Sequence, residues 1–330
     1  MYILVYADVY VDLRAMNQFV YITLLVALLN GALILFLLTM RVDDGRLTKA
    51  RPATVYELTE CANTNHRHRY STTDEMRYIL YGIGSQFSPN DQQIVDYISR
   101  HILQPSTKRP RRLRSRRVDV SQHGQSAFVD KLLSRRRNGF FVECGAYDGE
   151  TISNSLFFEQ HRNWTGLLIE ADPVYYHALL EKNRRAYVLL ACLSDKPRPS
   201  VLRMLRTVVG HSRIIDNTNQ SHHDAAHTVF EVNCFPLNSI MAALGVSRVD
   251  YLSLDVEGPE LKILQTVDWS RLRIDVITIE YRVSGNKLAT LKKLNDLRQF
   301  FRGTGVYREE AVLPKGSEAD GLDIVFSRID

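Results

Sequence analysis

Residues 140–150 read Phe-Phe-Val-Glu-Cys-Gly-Ala-Tyr-Asp-Gly-Glu, and no other stretch restricts the fold as much. An apolar run reaches an acidic residue, turns on Gly145 and Gly149, and enters a helix-like segment over 151–159. Strand, glycine turn and helix form the first unit of a doubly wound sheet, and such sheets bind nucleotides at that turn. The pattern is Glu-x-Gly-x-x-x-Gly in place of Gly-x-Gly-x-x-Gly. It points away from a dinucleotide pyrophosphate and toward S-adenosylmethionine. Each residue also has a bland reading: both glycines permit a tight turn whether or not a ligand binds, and Glu143 can cap the adjacent helix.

The rest of the C-terminal two thirds keeps the same rhythm. Helix is predicted over 121–133, and strands over 139–144 and 165–170. The second strand ends in Glu170, about 20 residues after the glycine turn, as a ribose-binding carboxylate requires. A helix over 174–184 and a strand over 187–193 follow, with Ser194 and Asp195 at the strand's carboxyl end. An extended segment over 229–235 leads to a strand over 249–255. Residues 256–260 then open a helix running through Leu264. Strand 274–280, helix 287–301 and strand 322–327 close the chain. Alternation of this kind gives an α/β fold, a largely parallel sheet under helices on both faces. A ligand then lies beyond the carboxyl ends of the first and fourth strands. Glu143, Gly145, Tyr147, Asp148, Gly149, Glu170, Ser194, Asp195 and Asp255 are the predicted cofactor-binding set. Methyl transfer would be in-line, from a sulfonium to an oxygen nucleophile, with positioning and proton removal as the protein's share. Asp255, Glu257 and Glu280 are the carboxylates placed to act as base, Asp255 first. His222, His223, Asp224 and His227 lie in the polar stretch 211–227, read as a loop over the pocket and not as a metal site.

The N-terminal third differs. After a tail over 1–18, residues Phe19–Met40 contain no charge in 22 positions, about 33 Å of helix, enough to cross a bilayer core. A single transmembrane anchor is predicted there, followed by a stem over 41–118. Arg41, Arg46, Lys49 and Arg51 favour a cytosolic C-terminal side by charge count. A helix is expected after Ser88-Pro89, with Ser88 as cap. The formal net charge of +5 includes seven positive charges between Lys108 and Arg117. The remainder is slightly acidic, which removes the basic face that nucleic-acid binding needs. Residues 105–117 are expected to be flexible. They read as a solvated linker, as a nuclear signal, or, through Arg114-Ser115-Arg116-Arg117, as a site for a secretory-pathway convertase. Of the four cysteines, Cys144 and Cys192 are separated by an intervening strand. Cys61 with Cys234 stays open, and no disulfide framework is expected. Asn163 and Asn219 stand in glycosylation triplets, with Asn219 the better placed.

Four motifs, VECGAYDGE, LLIEADP, ACLSD and YLSLDVEGPE, occur in the order found in the FkbM-type methyltransferase domain, which residues 119–330 resemble. SQHGQSAFVDKLL and NWTGLLIEADP resemble the animal branch that includes the membrane protein Star. The resemblance implies a class I S-adenosylmethionine-dependent methyltransferase fold with O-methylation as its activity. The Star-like branch implies a single-pass protein of endoplasmic reticulum, Golgi or endosomal membranes with a lumenal C-terminal domain. It would move a membrane cargo such as an EGF-receptor ligand precursor. Asn238 and Ser253 depart from the Asp and Lys that enzymatic members often carry there. The fold is independent of both positions, and cofactor binding and catalysis both stay open.

Overall fold

The computed structural model describes residues 25–29, 32–36, 40–43 and 46–49 as backbone, and then 88, 91–102, 105, 109–206, 212–215 and 228–329. The chain divides into two compact units, Met1–Arg69 and Tyr70–Asp330. In the first unit, β1 (Leu25–Leu29) pairs antiparallel with β2 (Ala32–Phe36), and β3 (Met40–Asp43) with β4 (Arg46–Lys49). Over the predicted anchor the described backbone is therefore a hairpin, not a helix. Leu29 pairs with Ala32. Among the described residues no helix is long and apolar enough to cross a membrane. The other residues of 19–40 lie outside the described residues, as do Cys61, Asn219 and the 216–227 part of the histidine-rich stretch.

The second unit opens with α1 (Gln92–His101). Ile94 and Ile98 are fully buried and Tyr97 nearly so, a spacing that puts them on one helical face. The helix starts one turn later than expected, with Asp91 at its N-cap in place of Ser88. Next come α2 (Gln125–Leu132), β5 (Phe140–Cys144), α3 (Leu156–His161), β6 (Thr165–Glu170), α4 (Pro173–Lys182), β7 (Tyr187–Leu190) and β8 (Cys192–Leu193). Then follow β9 (Ser200–Arg206), β10 (Ser212–Ile214), β11 (Thr228–Phe235), α5 (Leu237–Leu244), β12 (Arg248–Leu254), α6 (Glu260–Gln265), β13 (Arg273–Glu280), α7 (Lys287–Thr304), β14 (Tyr307–Leu313) and β15 (Asp323–Arg328).

The main sheet has the order β14-β15-β13-β12-β5-β6-β7. From β13 through β7 neighbours are parallel, and β15 runs antiparallel to both β13 and β14. Side chains alternate between two cores. Val142, Leu252, Leu254, Ile277 and Ile279 face the layer that holds α1, α5, α6 and α7. Phe141, Leu168, Tyr251 and Val276 face Val129, Phe158 and Leu179 on the other side. Covering both faces explains why these strands read as continuous apolar runs in sequence. The strand order reverses between β5 and β12, which lie side by side with Cys144 opposite Leu254.

Three expectations change. The third predicted strand splits, because β7 stays in the main sheet while β8 joins a four-stranded sheet, β10-β9-β11-β8. The helix after the glycine turn begins at Leu156, since Ser153, Asn154 and Ser155 are spent on Glu143. Cys192 and Cys234 form a disulfide: β8 and β11 are parallel neighbours with those two residues directly opposite. Cys144 is free and buried.

Candidate active site

At the carboxyl end of β5 the chain turns through Gly145, whose φ is +80°. A Cβ there would stand 1.9 Å from the Asp255 carbonyl oxygen, so glycine is needed for β5 and β12 to approach. The Gly145 and Ala146 amides both donate to the Ile169 carbonyl at 3.1 Å, which pins the turn to β6. Tyr147 takes a positive φ of 52°, and its amide donates to Glu170 Oε2 at 2.7 Å. Glu170 Oε1 accepts from the Asp172 amide, also at 2.7 Å. The Ala171 amide also donates to this carboxylate, so three amides leave about one acceptor position for a further donor. Burial pushes the Glu170 carboxyl up to about 7 against the hydrogen bonds that hold it ionised. The Tyr147 and Tyr175 rings stack obliquely beside it, 4.4 Å between centroids.

The other predicted ligands divide. Glu143 is buried and accepts from Ser153 Oγ, the Asn154 amide and Ser155 Oγ, so it organises the entry to α3. Asp148 accepts from the Glu150 and Thr151 amides and Thr151 Oγ1. Its Oδ2 also stands 3.4 Å from Lys182 Nζ. A Cβ on Gly149 would meet Leu179 Cδ1 at 2.2 Å. Asp148 and Gly149 therefore seat the turn on α4. The Ser194 hydroxyl donates to the Arg198 carbonyl at 2.7 Å, closing its own turn, and Asp195 beside it is half-buried.

Asp255, Glu257 and Glu280 do come together. They follow β12 and end β13, and one oxygen from each lies within 4.8 Å of the others. Asp255 and Glu280 are hydrogen-bonded, and burial raises both carboxyls, with mutual repulsion adding to Glu280. Two acids so placed share one proton at neutral pH. Asp323, at the start of β15 opposite Glu280, joins them electrostatically. Burial raises it to about 6, although Gln125 Nε2 donates to it at 2.6 Å. Glu257 has a φ of 61°, a strained backbone for glutamate. The loop is tied by Glu260 Oε1, which accepts from the Val256 and Gly258 amides; Lys293 Nζ lies 2.6 Å from its other oxygen. Between the glycine turn, Asn154 and Asp255 lies a cavity of about 20 Å³, room for one water.

Four supporting residues escaped sequence reasoning. Asp172 caps α4 through the Val174 amide. It also takes a two-pronged ion pair from Arg206, at 2.5 and 2.6 Å, and a bond from Ser212 Oγ. This fastens the four-stranded sheet beside the pocket. Arg184 and Glu159 form a fully buried ion pair at 2.7 Å, and Arg184 also donates to the Gly149 carbonyl. Asn154 Nδ2 donates to Ser253 Oγ at 3.0 Å, bridging the turn after β5 to β12. The Asp at N-cap spacing in Glu-Ala-Asp-Pro was a readable signal; the partners 25 to 99 residues away were not. Asn238, one of the two departures, staples the Asp268 backbone in both directions and is occupied structurally.

Residues 143–305 match the family model of the methyltransferase FkbM domain. No curated protein matches the chain. Among solved structures, precorrin-6Y C5,15-methyltransferase from Geobacter metallireducens is 15% identical with a TM-score of 0.35, covering 66% of this chain and 93% of its own. Methyltransferase FkbM from Methylobacillus flagellatus is 13% identical with a TM-score of 0.39, over 63% and 48%. Fibrillarin from Aeropyrum pernix, with natively bound S-adenosylmethionine, is 11% identical with a TM-score of 0.33, over 58% and 67%. The domain match and the sheet order together give a class I S-adenosylmethionine-methyltransferase-like α/β fold.

Proposed function

We propose that the domain binds S-adenosylmethionine and transfers its methyl group to an oxygen nucleophile. The observation that carries this reading is Glu170. It is a buried carboxylate at the end of β6, oriented by three backbone amides and left with acceptor capacity for a ribose hydroxyl. The neighbouring Tyr147–Tyr175 pair offers a flat apolar wall for a nucleoside. The cofactor's nucleoside would lie on the Tyr147–Glu170 side of the site. When bound, the cofactor supplies an electrophilic methyl on a sulfonium. The Asp255–Glu280 pair then accepts the proton of the attacking hydroxyl, Asp255 being the ionised partner because the proton is held more tightly on Glu280. Glu257, at the mouth of the pair, adds negative charge that favours an uncharged or cationic acceptor over an anionic one.

Calorimetry with S-adenosylmethionine on the full chain tests the reading. Glu170→Ala should weaken binding about ten- to hundredfold through loss of charge-assisted hydrogen bonds. Asp255→Asn should leave binding within about threefold and remove turnover. No measurable binding by the unaltered chain would sink the proposal.

A second reading, a non-catalytic factor holding a membrane cargo in the early secretory pathway, is favoured by the Cys192–Cys234 disulfide. Such bonds persist in oxidising compartments. Cargo export that fails on deletion and is restored by the Asp255→Asn chain would favour it over catalysis.

A further inference from the structure

The basic run ahead of the domain is laid down as an ordered strap. Asn183 Nδ2 donates to the Arg109 and Pro110 carbonyls at 2.6 and 2.9 Å, and the Arg112 amide donates to the Lys182 carbonyl at 2.9 Å. Arg111 pairs with the buried Glu159 at 2.6 Å. The Arg114 and Ser115 amides both donate to Glu150 Oε1, at 2.6 and 2.5 Å. Lys182 Nζ holds the other oxygen of the same carboxylate at 2.7 Å. Side-chain burial alternates along this stretch: Arg111, Leu113 and Ser115 are half-buried, and Arg112, Arg114 and Arg116 are exposed. That is the period of an extended chain, in which every second side chain points the same way. Arg117 is exposed too, and Val118 is 63% exposed. Among the described residues, no hydrogen bond from outside 115–119 reaches the backbone of Arg116, Arg117 or Val118. Anchorage resumes at Asp119, whose carboxylate accepts from the Ser121 and Ala127 amides, and at Ser121, which bridges to Ile152.

An endoprotease needs its substrate extended, exposed and without cross-strand partners at the bond it cuts. The Arg117–Val118 bond meets those conditions on a strap otherwise fastened on both sides. The arginines at 114, 116 and 117 stand at the fourth, second and first positions before it. The disulfide between β8 and β11 is an independent sign of the oxidising compartments in which proteases of that selectivity work.

We propose that Arg117–Val118 is a processing bond for an Arg-x-Arg-Arg-selective serine endoprotease of the secretory pathway, and that the strap stays docked after the cut. Hydrolysis consumes one water; the peptide C–N bond breaks, Arg117 gains a carboxylate and Val118 an amino group. The upstream fragment is retained by Glu150, Glu159 and Asn183 and by α1, whose Ile94 and Ile98 are buried in the main core, and the cut alters none of these. Processing thus separates the preceding segment covalently from the FkbM domain while leaving the underside of the glycine turn covered.

The full chain is incubated with a purified convertase of this class. A single cut is expected, with new N-terminal sequence Val118-Asp119. The fragments should co-elute under native conditions and separate in denaturant. Arg117→Ala should abolish the cut and Arg114→Ala slow it at least about tenfold, with far-ultraviolet dichroism showing both variants folded. Glu150→Gln should leave the cut and lower the denaturant concentration at which the two fragments separate. If the folded chain stays whole while a peptide of residues 109–124 in the same tube is cut, or if cutting survives Arg117→Ala, the processing site is overturned. Fragments that elute apart without denaturant overturn the retention.

Discussion

Glu280, Asp255, Asp323 and Glu170 are carboxyls that the folded chain protonates more readily than the unfolded chain does. Burial is the first cause in each, and like charges add to the Asp255–Glu280 pair. A raised folded-state value means the native state binds more protons than the unfolded one between the ordinary carboxylate range and the folded value. Their stabilising share is therefore complete below about pH 4 and lost as pH climbs through about 6 for Asp323 and about 7 for Glu170. Asp255→Asn, which removes the charge of the partner that is ionised at pH 8 and protonated at pH 5, should raise the melting temperature at pH 8 and change it little at pH 5. Equal shifts at both pH values would show that the cluster does not titrate as described. Gly145→Ala should cost at least about 2 kcal/mol by urea titration, combining a positive φ with a Cβ against the Asp255 carbonyl. Residue choice was legible where chemistry and position coincide, as at Gly145, Glu170 and the Asp255–Glu280 pair. Glu143, Asp148 and Ser194 sit at the expected strand ends, and their oxygens are engaged by local donors or acceptors that sequence spacing does not reveal.

Strands and helices tell a similar story at their own scale. β6 is found at its predicted bounds and β5, β12 and β13 within one residue, because both faces of those strands are apolar and the run length is unambiguous. β14 went unread, since Arg308, Glu309 and Glu310 give this edge strand a polar middle. The four-stranded sheet was half visible: β11 was read, while β9 (SVLRMLR) is interrupted by Arg203 and Arg206, the latter paired with Asp172. Its closure depends on the disulfide. A 42-residue separation corresponds to about 4 kcal/mol of unfolded-state entropy. Cys234→Ser should lower stability by an amount of that order in denaturant titrations under non-reducing conditions, and reductant should erase the difference from the unaltered chain. Replacing one member of a buried ion pair leaves a bare charge. Arg184→Ala should therefore destabilise by about 3–5 kcal/mol, read as a shifted urea midpoint, and should loosen the glycine turn it holds through the Gly149 carbonyl.

For the molecule as a whole, the sheet reversal between β5 and β12 places the acidic pair and Glu170 on one rim, as the alternation of elements implied. What the alternation did not show is how far the compact unit extends upstream. α1 contributes Ile94 and Ile98 to the same core as β12 and β13, and the basic run, expected to be loose, is seated against α3 and α4. A segment rich in proline and arginine looks solvated in sequence because its partners, Glu150, Glu159 and Asn183, are scattered over later elements.

That scattering has a consequence during synthesis. Arg109 is made 74 residues before the Asn183 side chain that receives it. At about 5–20 residues per second, the strap waits about 4–15 seconds for its dock to exist. Its own arginines must meanwhile avoid every other carboxylate already translated. The strap can therefore settle only after α4 has formed. Its protection against hydrogen exchange at the Arg112, Arg114 and Ser115 amides becomes a clock for completion of the first half of the sheet.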